Sequence, residues 1–234
     1  MGRYSEVFCK VYNEFGWNYY PEAFGEQLLQ WLKENNVTVR TSLDLACGTG
    51  VLCEVLHAQG ITASGMDFSE GMIAIARQRN PRIHYDVADM TLYRPEAQFD
   101  LVTCTGDSLN HIMALSDVEK IFRNVYGYLA EGGYFIFDIL NENEISTDEP
   151  FDLPFNDTIT ARFQMLCQDG IINLKTKVFE NGEFQFEENI YETLHDPETI
   201  CHLLKQVGFR EVSCQDRLLP NANPSTTWYV IAHK

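Results

Sequence analysis

Between residues 41 and 138 the chain alternates short apolar runs with stretches of helical period, and that alternation restricts it to very few folds. Residues 41–46 form an apolar run broken by Cys47-Gly48-Thr49-Gly50. Val51, Leu52, Val55 and Leu56 then resume a helical period that stops at Gly60. Residues 61–66 predict a second strand ending at Asp67, followed by a helix carrying Met72, Ile73, Ile75 and Ala76. Residues 83–87 and 99–104 predict a third and a fourth strand. Ser116-Asp117-Val118-Glu119 reads as a capping box opening a helix that runs through Leu129. Glu131-Gly132-Gly133 stops it, and residues 134–138 predict a fifth strand. Strands and helices in this rhythm predict a doubly wound, mostly parallel α/β sheet with right-handed crossovers.

The flanks differ in texture. Residues 4–20 are aromatic and predict a helical arm, which continues into a helix with Pro21 in its first turn. That helix carries Phe24, Leu28, Leu29 and Leu32 at helical spacing and ends near Asn35-Asn36. Residues 141–156 are rich in acidic residues, Asn and Pro and read as a loop. Residues 158–167, 171–179 and 184–193 predict three strands. They are joined by Asp169-Gly170 and Asn181-Gly182, the strongest short hairpin signals. An antiparallel β meander is thus inserted into the α/β fold, wet on one side, with Arg162, Lys175, Lys177 and Glu187 among its apolar residues. A helix from Pro197 to the stop at Gly208 and strands over 209–217 and 226–233 close the fold. The expected organisation is one α/β domain, 1–140 and 194–234 with its arm at 1–36, interrupted by a subdomain at 141–193.

A net charge of −17 repels phosphate backbones and anionic lipid, so nucleic acid and membrane surfaces are poor partners and cationic or neutral ligands are mildly favoured. No apolar run approaches the ~20 residues of a membrane span, and the first residues lack the order of a signal peptide. Seven cysteines at scattered spacings, with no C-x-x-C pair, predict reduced thiols, a cytoplasmic setting and no metal. The meander offers either a lid or a homodimer surface.

The glycine turn after the first strand would let a ligand approach the backbone at the sheet edge, where α/β folds bind ligands. Two features sharpen this weak signal. A dinucleotide fold wants a third small residue, and Cys53 stands there. The strand also carries Asp44 just before the turn, where an anion would be unwelcome and a cation tolerated. Leu43-Asp44-Leu45-Ala46-Cys47-Gly48-Thr49-Gly50 resembles motif I of class I S-adenosylmethionine-dependent methyltransferases. The later family signatures follow in order: Gly65-Met66-Asp67-Phe68-Ser69, then Asp86-Val87-Ala88-Asp89-Met90, then residues 99–104 ending at Cys104.

The resemblance implies a seven-stranded Rossmann-like methyltransferase sheet, S-adenosyl-L-methionine as cofactor and methyl transfer to an O or N nucleophile of a small molecule. It places Asp67 on the ribose hydroxyls, Asp89 and the Met90 backbone on adenine, and Asp44 at the ammonium end. Gly48 and Gly50 leave room for the ligand, Phe68 and Met72 pack on adenine, Cys104 flanks the methionine portion, and Tyr20 closes over the cofactor. Helix or turn capping is the competing role for Asp67 and Asp89, and plain helix core for Met72. In the loop after the fourth strand, Asp107 and His111 are the candidate base or acceptor-orienting residues; a capping histidine is the plainer alternative for His111. A nicotinamide-dependent oxidoreductase and a non-catalytic S-adenosylmethionine-binding protein are the alternatives.

Overall fold

The computed structural model describes residues 8–9, 12–14, 16–141, 149–154, 156–222 and 227–234. Its main sheet has seven strands: β1 (Thr41–Leu45), β2 (Thr62–Asp67), β3 (His84–Val87), β4 (Phe99–Cys104), β5 (Leu129–Leu140), β10 (Glu211–Gln215) and β11 (Thr227–His233). They lie in the order β10-β11-β5-β4-β1-β2-β3. The pairs from β5 through β4 and β1 to β3 are parallel, while β11 runs antiparallel between β5 and β10. The crossover direction reverses between β1 and β4, which creates the crevice where open α/β sheets take ligands.

Two apolar clusters cover the two faces, as a doubly wound sheet requires. Helices α1 (Tyr19–Glu34), α2 (Val51–Ala58) and α3 (Glu70–Arg79) pack one face through Phe24, Leu28, Leu52, Leu56 and Ile73. Helices α4 (Leu115–Tyr128) and α5 (Pro197–Val207) pack the other through Ile121, Phe122, Val125, Ile200 and Leu204. No helix among the described residues is long and apolar enough to cross a membrane.

A second sheet, all antiparallel and with its strands paired in chain order, is inserted between β5 and α5. Its strands are β6 (Phe151–Pro154), β7 (Ile159–Gln168), β8 (Ile171–Glu180) and β9 (Glu183–Thr193). Both hairpins turn on the expected dipeptides, with positive φ at Asp169 and Gly170 and at Asn181 and Gly182. The meander has four strands, not three. Part of the predicted 141–156 loop pairs as β6, where Arg162 of β7 holds Asp152 with a double hydrogen bond.

Other expectations are corrected. The predicted arm is not one helix: Phe8 and Cys9 are helical, turns follow at 12–14 and 16–18, and α1 starts at Tyr19. The predicted 4–7, 10–11 and 15 lie outside the described residues. Ser116 is not the cap: the amides of Asp117 and Val118 bond to the Ala114 carbonyl, so α4 is capped at Ala114 and starts two residues earlier. Glu131-Gly132-Gly133 does not stop that helix but forms an irregularity inside β5, where the register with β4 shifts between Phe99 and Leu101. The predicted 209–217 strand shortens to β10.

Candidate active site

The strands place acids at one edge of the sheet. Asp44 on β1 is buried and accepts the Thr103 hydroxyl of β4 at 2.7 Å. Burial pushes its carboxyl up to about 7. Asp67 ends β2, where one carboxylate oxygen accepts the Gly48 amide at 2.9 Å and the other the Ser69 amide at 2.7 Å. Burial raises its pKa, and hydrogen bonds from the Ser69, Gly48 and Phe68 backbone pull the other way. Asp67 thereby joins the glycine turn to the start of α3, where the Ser69 hydroxyl caps the Met72 amide.

Gly48 and Gly50 divide the work of the turn. Gly50, at φ +79°, packs so tightly that a Cβ would lie 2.5 Å from the Tyr85 hydroxyl. Gly48, at φ +53°, would send a Cβ into open space, with no protein atom within 4 Å. Gly48 lines the main cavity and Gly50 does not.

Asp138, two residues before the end of β5, organises the other side. Fully buried, it accepts the Tyr20 hydroxyl at 2.8 Å, the Gly106 amide at 3.0 Å and the Asp107 amide at 2.7 Å. Burial raises its carboxyl to about 6. It thereby ties α1 to the loop after β4 and holds Asp107 in the left-handed region at φ +51°. A 3-10 turn, Ser108–His111, follows. There Asn110 donates to the Thr193 carbonyl at 2.7 Å and accepts the Leu140 amide at 3.1 Å, which anchors the turn to both sheets.

These elements enclose a cavity of about 360 Å³, within the size range of small-molecule sites. The arm supplies Phe8, Tyr12 and Trp17 to its wall, and β9 supplies Glu188 to Glu192. Trp17 packs edge-on against Phe163 of β7, and Thr49 donates to Asn13 at 2.9 Å, so arm, meander and glycine turn meet here. Five carboxylates line the cavity: Asp44, Asp67, Asp107, Glu188 and Glu192. Among the described residues no Lys or Arg does. Such a lining disfavours a pyrophosphate and suits a cation.

Of the predicted positions, Tyr20, Asp44, Gly48, Asp67, Phe68, Met72, Asp107 and His111 come together on this cavity. Gly50, Asp89, Met90 and Cys104 do not line it. Asp89 bonds within its own loop, accepting the Thr91 amide at 2.8 Å and hydroxyl at 2.7 Å. Met90 and Cys104 are core residues. Met72 both lines the cavity and packs with Phe8 and Cys9. Sequence reasoning passed over Asp138 and Glu192. Asp138 closes the predicted 134–138 strand as Asp67 closes the second one, a signal present in the residues. Glu192 and Glu188 share the strand face of Phe186 and Ile190, and acids on an apolar face were the available sign.

Residues 43–133 match the family described as Methyltransferase domain. A putative methyltransferase of Geobacillus sp. strain WCH70 is 31% identical over 134 residues, 56% of this chain and 53% of that protein. The putative methyltransferase YqeM of Bacillus subtilis is 28% identical over 217 residues, 87% of this chain and 85% of its own length. The structure of the amino pentose methyltransferase CalS10 from Micromonospora echinaspora, with S-adenosylmethionine bound, superposes with a TM-score of 0.80. Its identity is 17%, over 100% of this chain and 99% of that one. The chain spans about half the length of several curated relatives it matches.

The fold is thus that of the class I methyltransferases. Within it, residues 43–133 match the methyltransferase-domain family, and the superposed CalS10 structure holds S-adenosylmethionine. Neither the cavity chemistry nor the relatives support the oxidoreductase alternative. The lining fits the cofactor: it is a net cation without phosphates, and an open cradle at Gly48 adjoins two buried carboxylates.

Proposed function

We propose that this protein transfers a methyl group from S-adenosyl-L-methionine to a nitrogen or oxygen nucleophile of a small molecule. The observation that carries the reading is the cation-seeking cavity at the switch point, walled by Asp44 and Asp67 and opening over Gly48. Asp67 would accept the ribose hydroxyls as a charge-assisted pair. Asp44 would hold the ammonium end, and Phe68 and Met72 would pack on adenine. Asp89 and the Met90 backbone would meet the adenine edge from beyond the enclosed part of the cavity, and Cys104 would back the methionine portion from the core. When bound, the cofactor supplies a methyl on an already activated sulfonium.

The chain's remaining task is to align the acceptor, exclude water and manage one proton. The aromatic arm and β9 exclude water. Asp107 and His111, fixed by Asp138 and Asn110, face the acceptor end and would orient the nucleophile or take its proton. CalS10 acts on an amino pentose, and an amine acceptor suits an acidic cavity. The insertion at 141–193 acts in this reading as the acceptor lid, while its exposed Phe151, Leu153 and Phe184 offer a face for a second copy. The acidic surface argues against nucleic acid, and seven free thiols suit the cytoplasm.

The test has two stages. Calorimetry should show adenosylhomocysteine binding and no NAD binding. Mass spectrometry over hydroxyl- and amine-bearing metabolites should then find a product heavier by one methylene. Tight NAD binding without adenosylhomocysteine binding would defeat the proposal, and cofactor binding with no product over a broad panel would leave only the non-catalytic alternative.

A further inference from the structure

Asp107, His111 and Glu192 each direct one ligand atom into the same small volume, all within 4.8 Å of one another. All three line the cavity, yet they come from the loop after β4, the 3-10 turn and β9. Glu192 is buried, and its Oε1 lies 3.6 Å from His111 Nε2. The other ring nitrogen, Nδ1, lies 3.3 Å from the Tyr191 carbonyl oxygen. A carbonyl can only accept, so Nδ1 carries the hydrogen there, and in the neutral ring Nε2 presents its lone pair to the Glu192 carboxylate. Burial favours the neutral ring. A histidine that gives one N–H to a backbone carbonyl and turns the other nitrogen to carboxylates has the orientation that metal-ligating histidines adopt.

We propose that Asp107, His111 and Glu192 form a binding site for one divalent transition-metal ion of the Mn²⁺ or Zn²⁺ kind, its open positions turned toward an oxygen-bearing acceptor. The binding of the ion stands on this geometry alone; its service to an acceptor rests on the methyltransferase reading.

Distance separates a metal from an ammonium group at the same place. A metal at about 2.1 Å from both Nε2 and Oε1 would subtend about 118° between them, close to a tetrahedral or trigonal value. An ammonium nitrogen at about 2.85 Å from both would subtend only about 78°, well below the angle between its N–H bonds. Two carboxylates and an imidazole form a mixed oxygen and nitrogen set, which suits Mn²⁺ or Zn²⁺ better than Ca²⁺ or Mg²⁺. The scaffold is fixed before any ion arrives. The Asp107 amide is held by Asp138, Asn110 bridges to Thr193 one residue from Glu192, and His195 bonds to the Leu109 carbonyl at 3.3 Å.

The experiment uses full-length protein stripped with chelator. Mn²⁺ alone is titrated and free Mn²⁺ followed by electron paramagnetic resonance, with Zn²⁺ as competitor. One ion per chain is expected, displaced by Zn²⁺. Glu192→Gln and His111→Gln should each weaken uptake at least about tenfold. Both variants should keep a cooperative melt, so that lost uptake is not unfolding. Failure of the wild type to take up either ion stoichiometrically, or equal uptake by both folded variants, would overturn the proposal. The adenosylhomocysteine titration reads the methyltransferase proposal separately, so the two can fail independently.

Discussion

Gly48 and Gly50 share a sign of φ and differ in surroundings, and the difference separates binding from folding. Gly48→Val would push its side chain into the cavity and strain a left-handed backbone that β-branched residues avoid, so it should abolish adenosylhomocysteine binding and lower the melting temperature through the backbone alone. Gly50→Ala meets the Tyr85 hydroxyl and Ala76 in a left-handed backbone, and should lower stability by roughly 1–3 kcal/mol. Calorimetry and thermal melts of the two variants check the pair; a stable Gly48→Val that still binds would remove the turn from the site. The motif made both glycines visible in the sequence, but only packing shows which one faces ligand. Asp107 offers a second test. Asp107→Asn keeps the shape and removes the charge. With an acceptor in hand, it should slow single-turnover methyl transfer by about 10²–10⁴-fold, with cofactor affinity nearly intact. His111→Gln should cost less. Near wild-type rates in both would mean that alignment alone drives transfer. Asp107 was legible as the first acid after the fourth strand. Its partner Glu192 was not, because 84 residues of chain separate them and only the second sheet brings them together.

Strands and hairpins were the most legible elements, because a period of two and the Asp-Gly and Asn-Gly turns specify them locally. Helix ends and β5 were less so. Ser116 carries the right residues for a cap, but α4 begins earlier, and Gly132-Gly133 belongs to an irregular strand whose register only β4 determines. β6 escaped notice because four residues including Pro154 have little period, and pairing with β7 defines it. The division of labour between elements can be tested. Replacing 158–193 by a short Gly-Ser connection should leave adenosylhomocysteine binding within about tenfold, roughly 1.4 kcal/mol, while abolishing acceptor turnover. The expected loss comes through the arm, since Trp17 loses Phe163. Complete loss of cofactor binding with a cooperative melt retained would show that the second sheet is part of the cofactor site.

At the scale of the whole molecule, the net charge was plain in the sequence, but its concentration around one buried cavity was not. Asp44 and Glu192 are raised to about 7 and Asp138 to about 6, and Asp67 is raised as well; burial leads in each case. A carboxyl with a raised folded-state pKa binds more protons folded than unfolded. Its stabilising effect is therefore complete below the unfolded value near 4, and is lost as pH rises through 6 to 7. The ligand-free protein should accordingly melt at falling temperature as pH is taken from about 5 to 7.5. In about 0.5 M NaCl the part due to surface repulsion should shrink, and the part due to the buried acids should persist. Cofactor binding runs the other way, because an ammonium group favours the ionised carboxylates. Adenosylhomocysteine affinity should rise with pH up to about 7, and binding at pH 6 should release protons to the buffer. Calorimetry at pH 6 in buffers of different ionisation heat measures that release directly. Its absence, together with a flat melting profile between pH 5 and 7.5, would mean that these acids are already ionised in the empty cavity and that the site's selectivity for cations has another origin.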